Sequence, residues 1–114
     1  MSKHRTEIGL AEAALLFAAL GDETRLALLE RLSRNGPASI TQLSEKSQVT
    51  RQAITKHLRT LAAAGVVEGT RSGREHRWRL NPERLADAQR CLAQVGRFWE
   101  DALSRLKARI EAES

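Results

Sequence analysis

The 114-residue chain holds a single cysteine, Cys91, so no internal disulfide can form. The staple on which small secreted domains depend is therefore missing. No apolar run approaches the ~20 residues needed to cross a bilayer. Glu7 and Glu12 interrupt any apolar stretch behind Lys3 and Arg5, so no secretory signal is expected. Together these absences predict a cytoplasmic protein with no membrane partner. Internal repeats and low-complexity tracts are also lacking. The chain offers no phosphate-cradling glycine loop and no nucleophile–base–orienter set, and its strand-like content is too small for a catalytic sheet, so it does not read as an enzyme. The three histidines, His4, His57 and His76, lie in three separate segments, whereas a zinc site needs its N or S donors gathered in space. No metal and no cofactor are expected.

What is present is a folded, mainly helical pattern. Apolar residues make up 41% of the chain, enough to exclude disorder, and the length fits a single domain over 1–114. A first helix is predicted over about 9–20, with Ala11, Ala14, Leu15, Ala18 and Ala19 at helical spacing. Gly21 ends it, and Asp22 then reads as an N-cap with Glu23 in the first turn. The second helix carries Leu26, Leu29 and Leu32 as a stripe and stops at Gly36-Pro37. Ser39 and Gln42 match a capping box for a short third helix, with Ile40 and Leu43 facing inward, ending near Lys46. After a tight connection, Thr50 caps a fourth helix running to Ala64, with Gly65 as its left-handed terminator. Val66 to Arg71 and Glu75 to Leu80 are strand-like, with a turn at Ser72-Gly73. Asn81-Pro82-Glu83 starts a last helix running to about residue 111, roughly 45 Å long. The fold class is thus mainly α with a two-stranded β-hairpin.

Acidic residues are scarce in one region only. Nineteen Lys and Arg face fourteen Asp and Glu, a net charge of +5. Between residues 50 and 80, seven basic residues face only Glu68 and Glu75, while the rest of the chain has twelve of each sign. This is the electrostatic footprint of a nucleic-acid binder, or else simply a solvated basic surface. The fourth helix sharpens the choice. Ile54, Leu58 and Leu61 give it an apolar docking stripe, and the opposite side carries Gln52, Lys56 and Arg59, flanked by Thr50, Arg51 and Thr55. Such a side is suited to the major groove, where Arg, Gln and Thr reach base edges. His57 falls between the two faces and is open to both a phosphate contact and packing beside the stripe. Arg71, Arg74 and Arg77 make the following hairpin a candidate wing, drawn to the negative potential of a narrow minor groove. The plan is a winged helix-turn-helix, with the helix-turn-helix over 39–64 and the wing over 66–80.

These segments resemble the arsenic-repressor (ArsR-type) family of winged-helix regulators. The resemblance is carried by Ser39-Ile40-Thr41-Gln42-Leu43, by Val49 through Leu58 and above all Thr55-Lys56-His57-Leu58, and by Ala64-Gly65-Val66-Val67. Leu20 through Arg25 and Arg74 through Trp78 extend it over nearly the whole chain. It implies a homodimeric repressor that binds double-stranded DNA at an inverted repeat, is released by an effector, and uses Thr55 and its neighbours as DNA contacts. The chain departs from the metal-sensing members, because 40–46 contains no Cys or His and the last helix contains no His. It therefore looks closer to members without metal motifs, with an effector of unknown identity.

The last helix carries a heptad seam. Leu85, Leu92, Trp99 and Leu106 recur every seven residues, and Ala88, Val95 and Ala102 lie three later. A small domain cannot cover so long a stripe, so this helix over 82–111 is expected to pair with a second copy, aided by Leu15 of the first helix. Cys91 on the widened apolar face reads as a small core residue or a thiol sensor, and no second cysteine exists to resolve a sulfenic acid. Two other functions fit the same residues: a protein-interaction module on a winged-helix scaffold, and a non-specific architectural DNA-binding protein.

Overall fold

The computed structural model describes residues 8–45 and 47–113. In chain order the elements are α1 (Leu10–Leu20), α2 (Glu23–Asn35), β1 (Ala38–Ser39), α3 (Ile40–Ser44), α4 (Arg51–Ala63), β2 (Val67–Ser72), β3 (Glu75–Leu80) and α5 (Pro82–Glu113).

Helix starts follow side-chain capping of the otherwise unpaired first amides. Asp22 Oδ2 accepts from the Arg25 amide at 3.0 Å, and Thr50 Oγ1 accepts from the Ala53 amide at 3.1 Å. Asn81 Oδ1 accepts from the Glu83 amide at 3.1 Å at the start of α5. Ser39 and Gln42 form the full capping box: Ser39 Oγ accepts from the Gln42 amide at 3.2 Å, and the Ser39 amide donates to Gln42 Oε1 at 2.9 Å. At the far end of α4, Gly65 adopts φ 81°. Its amide donates to Ala62 O and that of Val66 to Leu61 O, both at 2.9 Å, which is the Schellman pattern that terminates a helix through a left-handed residue.

The three strands form one antiparallel sheet in the order β1-β3-β2. The predicted two-stranded hairpin therefore gains a third, two-residue strand, in which Ala38 pairs with Trp78 and Ser39 with Arg77. The hairpin turn falls one residue later than predicted. Ser72 pairs with Glu75, and Gly73 (φ 64°) and Arg74 make the turn. A positive φ at only the first central residue is what a II′-type turn requires.

The core gathers all five helices and the sheet around Leu16, Leu28, Leu32, Leu43, Ile54, Leu58, Leu61, Val66, Val67 and Trp78. Ile54, Leu58 and Leu61 dock α4 as its stripe predicts. Two other stripes differ. In α2 the buried residues are Leu28, Leu29 and Leu32, and Leu26 is half exposed. At 3.6 residues per turn Leu28 lies nearly over Leu32, whereas Leu26 is rotated roughly 115° away from that face. In α1 the buried residues are Ala13, Leu16 and Ala19, and Ala11, Ala14, Leu15 and Ala18 are exposed. That helix is apolar nearly all round, so periodicity does not choose the buried side; docking of Leu16 does. Of the α5 seam, Ala88 is buried in the chain's own core and Leu85 packs against it. From Leu92 onward α5 leaves the core, over a helix about 48 Å long in total.

Candidate nucleic-acid interface

The short α3 and the turn at 47–50 place the start of α4 at the surface. There Arg51, Gln52, Lys56 and Arg59 are exposed, on the side away from Ile54, Leu58 and Leu61. Arg51 is not loose: its Nη1 donates to Thr41 Oγ1 on α3 at 3.0 Å, bridging the two helices at their exposed edge. Thr50 is exposed, with its hydroxyl used as the cap. Thr55 is half-buried and its hydroxyl donates to the Arg51 carbonyl at 2.8 Å. Thr41 escaped the sequence reading because a threonine inside a short capped helix carries no periodic signal.

His57 sits apart from this face. It is half-buried, and its Nδ1 lies 3.2 Å from Arg25 Nη1 and 3.9 Å from Asp22 Oδ2, beside the α2 start. Arg25 itself donates from Nε to Ala19 O at 2.6 Å and from Nη2 to Ala18 O at 3.3 Å, closing the C-terminal carbonyls of α1. The Arg25 amide, and then the nearby positive charges of Arg25 and His57, hold the Asp22 carboxyl below its ordinary range.

In the wing, Arg71 and Arg74 are exposed at the hairpin end. Arg77 behaves differently. It is half-buried, its Nη2 donates to the Pro37 carbonyl at 3.3 Å, and its Nε is buried without a hydrogen-bond partner. Arg77 is thus held at the β1 edge, away from Arg71 and Arg74. Arg79 pairs across the ladder with Glu68 at 3.4 Å. Arg71 and Arg74 thus share the exposed hairpin end with Glu75.

A second arginine joins elements that the sequence leaves apart. Arg84, near the start of α5, donates from Nη1 to Glu12 of α1 at 2.7 Å and from Nε to Ala64 O at the end of α4 at 2.8 Å. Asp87 lies 3.4 Å away and also pairs with Arg90. The hydrogen bond to Glu12 above all holds the guanidinium above its ordinary value, against the effect of burial.

On α5 the exposed apolar residues include Leu92, Val95, Phe98, Trp99, Leu103, Leu106 and Ile110; Phe98 is 77% and Trp99 65% exposed. Ala102 and Cys91 are half-buried. On α1, Leu15 is 53% exposed. Among the described residues no group of three or more His, Cys, Asp or Glu side chains could hold a metal ion, and no helix is long and apolar enough to cross a membrane. His4 lies outside the described residues.

Two helices joined by a short turn, the second turning a cationic side outward, with a sheet hairpin tipped by arginines next in the chain, define a winged helix-turn-helix DNA-binding protein. Residues 20–70 match a family model described as a helix-turn-helix domain. The chain is 34% identical over 95 residues to the HTH-type transcriptional regulator Rv2034 of Mycobacterium tuberculosis, covering 83% of this chain and 85% of that one. It is 36% identical over 94 residues to the HTH-type transcriptional repressor SmtB of the same organism, covering 82% and 67%. An ArsR-like transcriptional regulator from Rhodococcus sp. RHA1 superimposes with a TM-score of 0.75 at 42% identity, over 86% of this chain and 92% of that one. The chain belongs to the ArsR-type family of winged helix-turn-helix transcriptional regulators.

Proposed function

We propose that this regulator is a homodimeric repressor that reads an inverted-repeat operator in double-stranded DNA, with α4 in the major groove and the β2–β3 wing at the adjacent minor groove. The observation that carries the reading is the exposed set Gln52, Lys56 and Arg59, aligned on α4 opposite its buried leucines and isoleucine. Arg51, steadied by Thr41, and Thr50 and Thr55 border that set at the helix start, where the N-terminal dipole also favours phosphate. Arg71 and Arg74 supply the wing contact.

The dimer is proposed to close on the outer seam of α5, from Leu92 through Val95, Trp99, Ala102 and Leu106, with Leu15 of α1 alongside. Leu85 and Ala88 anchor the base of that seam to each copy's own core. A two-fold pair presents two α4 helices, which fit successive major grooves about 34 Å apart. Occupation of a promoter then blocks transcription until an effector weakens binding. The cytoplasm is the compartment this role requires.

The test is a binding titration of the purified chain against a palindromic duplex from its own promoter, beside a scrambled duplex and with sedimentation to fix its mass. Specific binding by a dimer, with a steep salt dependence, is expected. Equal affinity for both duplexes would point to an architectural DNA protein. Failure to retain any duplex at physiological salt, with stoichiometric capture of a protein partner, would point to an interaction module.

A further inference from the structure

We propose that His76 is an additional DNA contact, presented at the minor groove by a platform made of Trp78 and the bare backbone of Gly69. The proposal rests on the reading of the wing as a DNA-contacting element.

Three observations carry it. First, the imidazole of His76 stacks on the Trp78 indole, with ring centroids 4.8 Å apart and planes 25° from parallel. Trp78 is 7% exposed and belongs to the core, so the platform under the imidazole is fixed. Second, the residue paired with Trp78 across the ladder is Gly69. A Cβ there would stand 2.4 Å from His76 Nε2 and 3.2 Å from Trp78 Cζ3. The imidazole occupies space that only glycine leaves open. Third, the register sets Arg71 directly opposite His76, and residues opposite one another on an antiparallel ladder share a face. His76 and Arg71 therefore stand side by side on the exposed outer part of the hairpin, with Arg74 at the turn next to them. Glu75 and Arg77 alternate to the other face.

A merely structural histidine would be buried or bonded; this one is exposed. A ring already fixed by stacking has little rotamer freedom to lose on binding, in contrast to the arginines around it. Narrow minor grooves attract histidine as well as arginine and lysine. The wing thus offers two long, mobile cations and one short, rigid donor on the same surface.

The experiment measures operator affinity for the wild-type full chain and for His76→Phe, Gly69→Ala and Arg71→Ala, with thermal unfolding of each. His76→Phe keeps a ring over Trp78 and removes both nitrogens. It is expected to bind about tenfold more weakly with an unchanged unfolding midpoint. Gly69→Ala keeps the nitrogens and moves the ring; it is expected to lose a similar factor, and the double variant no more than the larger single loss. Replacing adenine by 3-deazaadenine beneath the wing removes the minor-groove N3 acceptor and leaves the major-groove edge unchanged. Wild-type affinity is expected to fall on that replacement, and His76→Phe affinity is not. Wild-type affinity in His76→Phe overturns the proposal. In that event Arg71→Ala separates the two ideas: a loss there keeps the wing reading, and no loss removes it as well.

Discussion

The Nε of Arg84 on α5 donates to the carbonyl of Ala64, the last residue before the glycine that ends α4, at 2.8 Å. The same guanidinium pairs with Glu12 of α1 at 2.7 Å. One side chain therefore fastens the helix that carries the exposed seam to the helix that carries the cationic face. Arg25 of α2 makes a separate link, holding the α1 carbonyls while lying against His57 of α4.

Arg84→Ala would leave Glu12 and Asp87 without their shared cation and the Ala64 carbonyl without its donor. Both carboxylates are mostly shielded from solvent, with side chains 26% and 19% exposed. Because the cluster is part-buried and Asp87 keeps its pair with Arg90, the loss is expected to be about 2 kcal/mol. Urea unfolding is expected to show that loss, and Arg84→Lys is expected to recover less than half of it, because an ammonium cannot reach both helices at once. A change below about 1 kcal/mol would mean that the three contacts contribute little.

Asp22 supplies an acid-side test. Its folded carboxyl titrates below the ordinary value of 3.8, chiefly because the Arg25 amide bonds to the charged form. A depressed pKa means that the unfolded chain holds more protons in the window between the two values, so stability rises with pH there. The contribution is complete above 3.8 and is lost as pH falls through the folded value. The stability difference between wild type and Asp22→Asn is expected at neutral pH and should shrink progressively as pH falls below 3.8. A difference that stays constant across that acid range would show that cap geometry, not charge, carries it.

The basic residues of the 50–80 segment are not equivalent. Lys56→Ala and Arg71→Ala are each expected to lower the slope of log affinity against log salt by about one, as each removes one cation from the proposed DNA-facing surface. Arg79, already facing Glu68 at 3.4 Å, is expected to change it by less than half as much. Titrations at four or five salt concentrations decide this; equal slopes for Arg79→Ala and Lys56→Ala would contradict the assignment.

Trp99→Glu places a charge in the exposed apolar face of α5 without touching the core. Sedimentation is expected to show a monomer that still unfolds cooperatively, at a midpoint lowered by the loss of the subunit contact. Operator affinity should fall by a factor of 100 or more, since two half-site contacts are no longer linked. A dimer that survives the substitution would move the subunit contact elsewhere.

Much of this organisation is written in local chemistry. Asp22, the Ser39–Gln42 box, Thr50, Gly65 and Asn81 mark helix ends by hydrogen bonds within a few residues, and they are legible as such. The docking stripe of α4 is legible too, because its other side is polar. The features that escape depend on distant partners. A strand of two residues has no period, and Ala38–Ser39 is a strand only because Trp78 and Arg77 come alongside. Arg84 and Arg79 look like ordinary solvated charges until Glu12 and Glu68 are brought near. The buried side of α1 is ambiguous in a helix of alanines and leucines, and contacts with the rest of the fold decide it. Residues proposed to touch DNA are read from their residue types and from the resemblance, and the titrations above bear on them directly.

Ser39 is at once the second residue of β1, bonded to the hairpin strand, and the cap of α3. The hairpin is therefore clamped to the helix-turn-helix through one residue, and the reading head travels as a single rigid piece. In the proposed dimer, the spacing and tilt of two such heads would be set by α5 where it leaves the core beyond Ala88, and a signal altering that spacing would weaken operator binding.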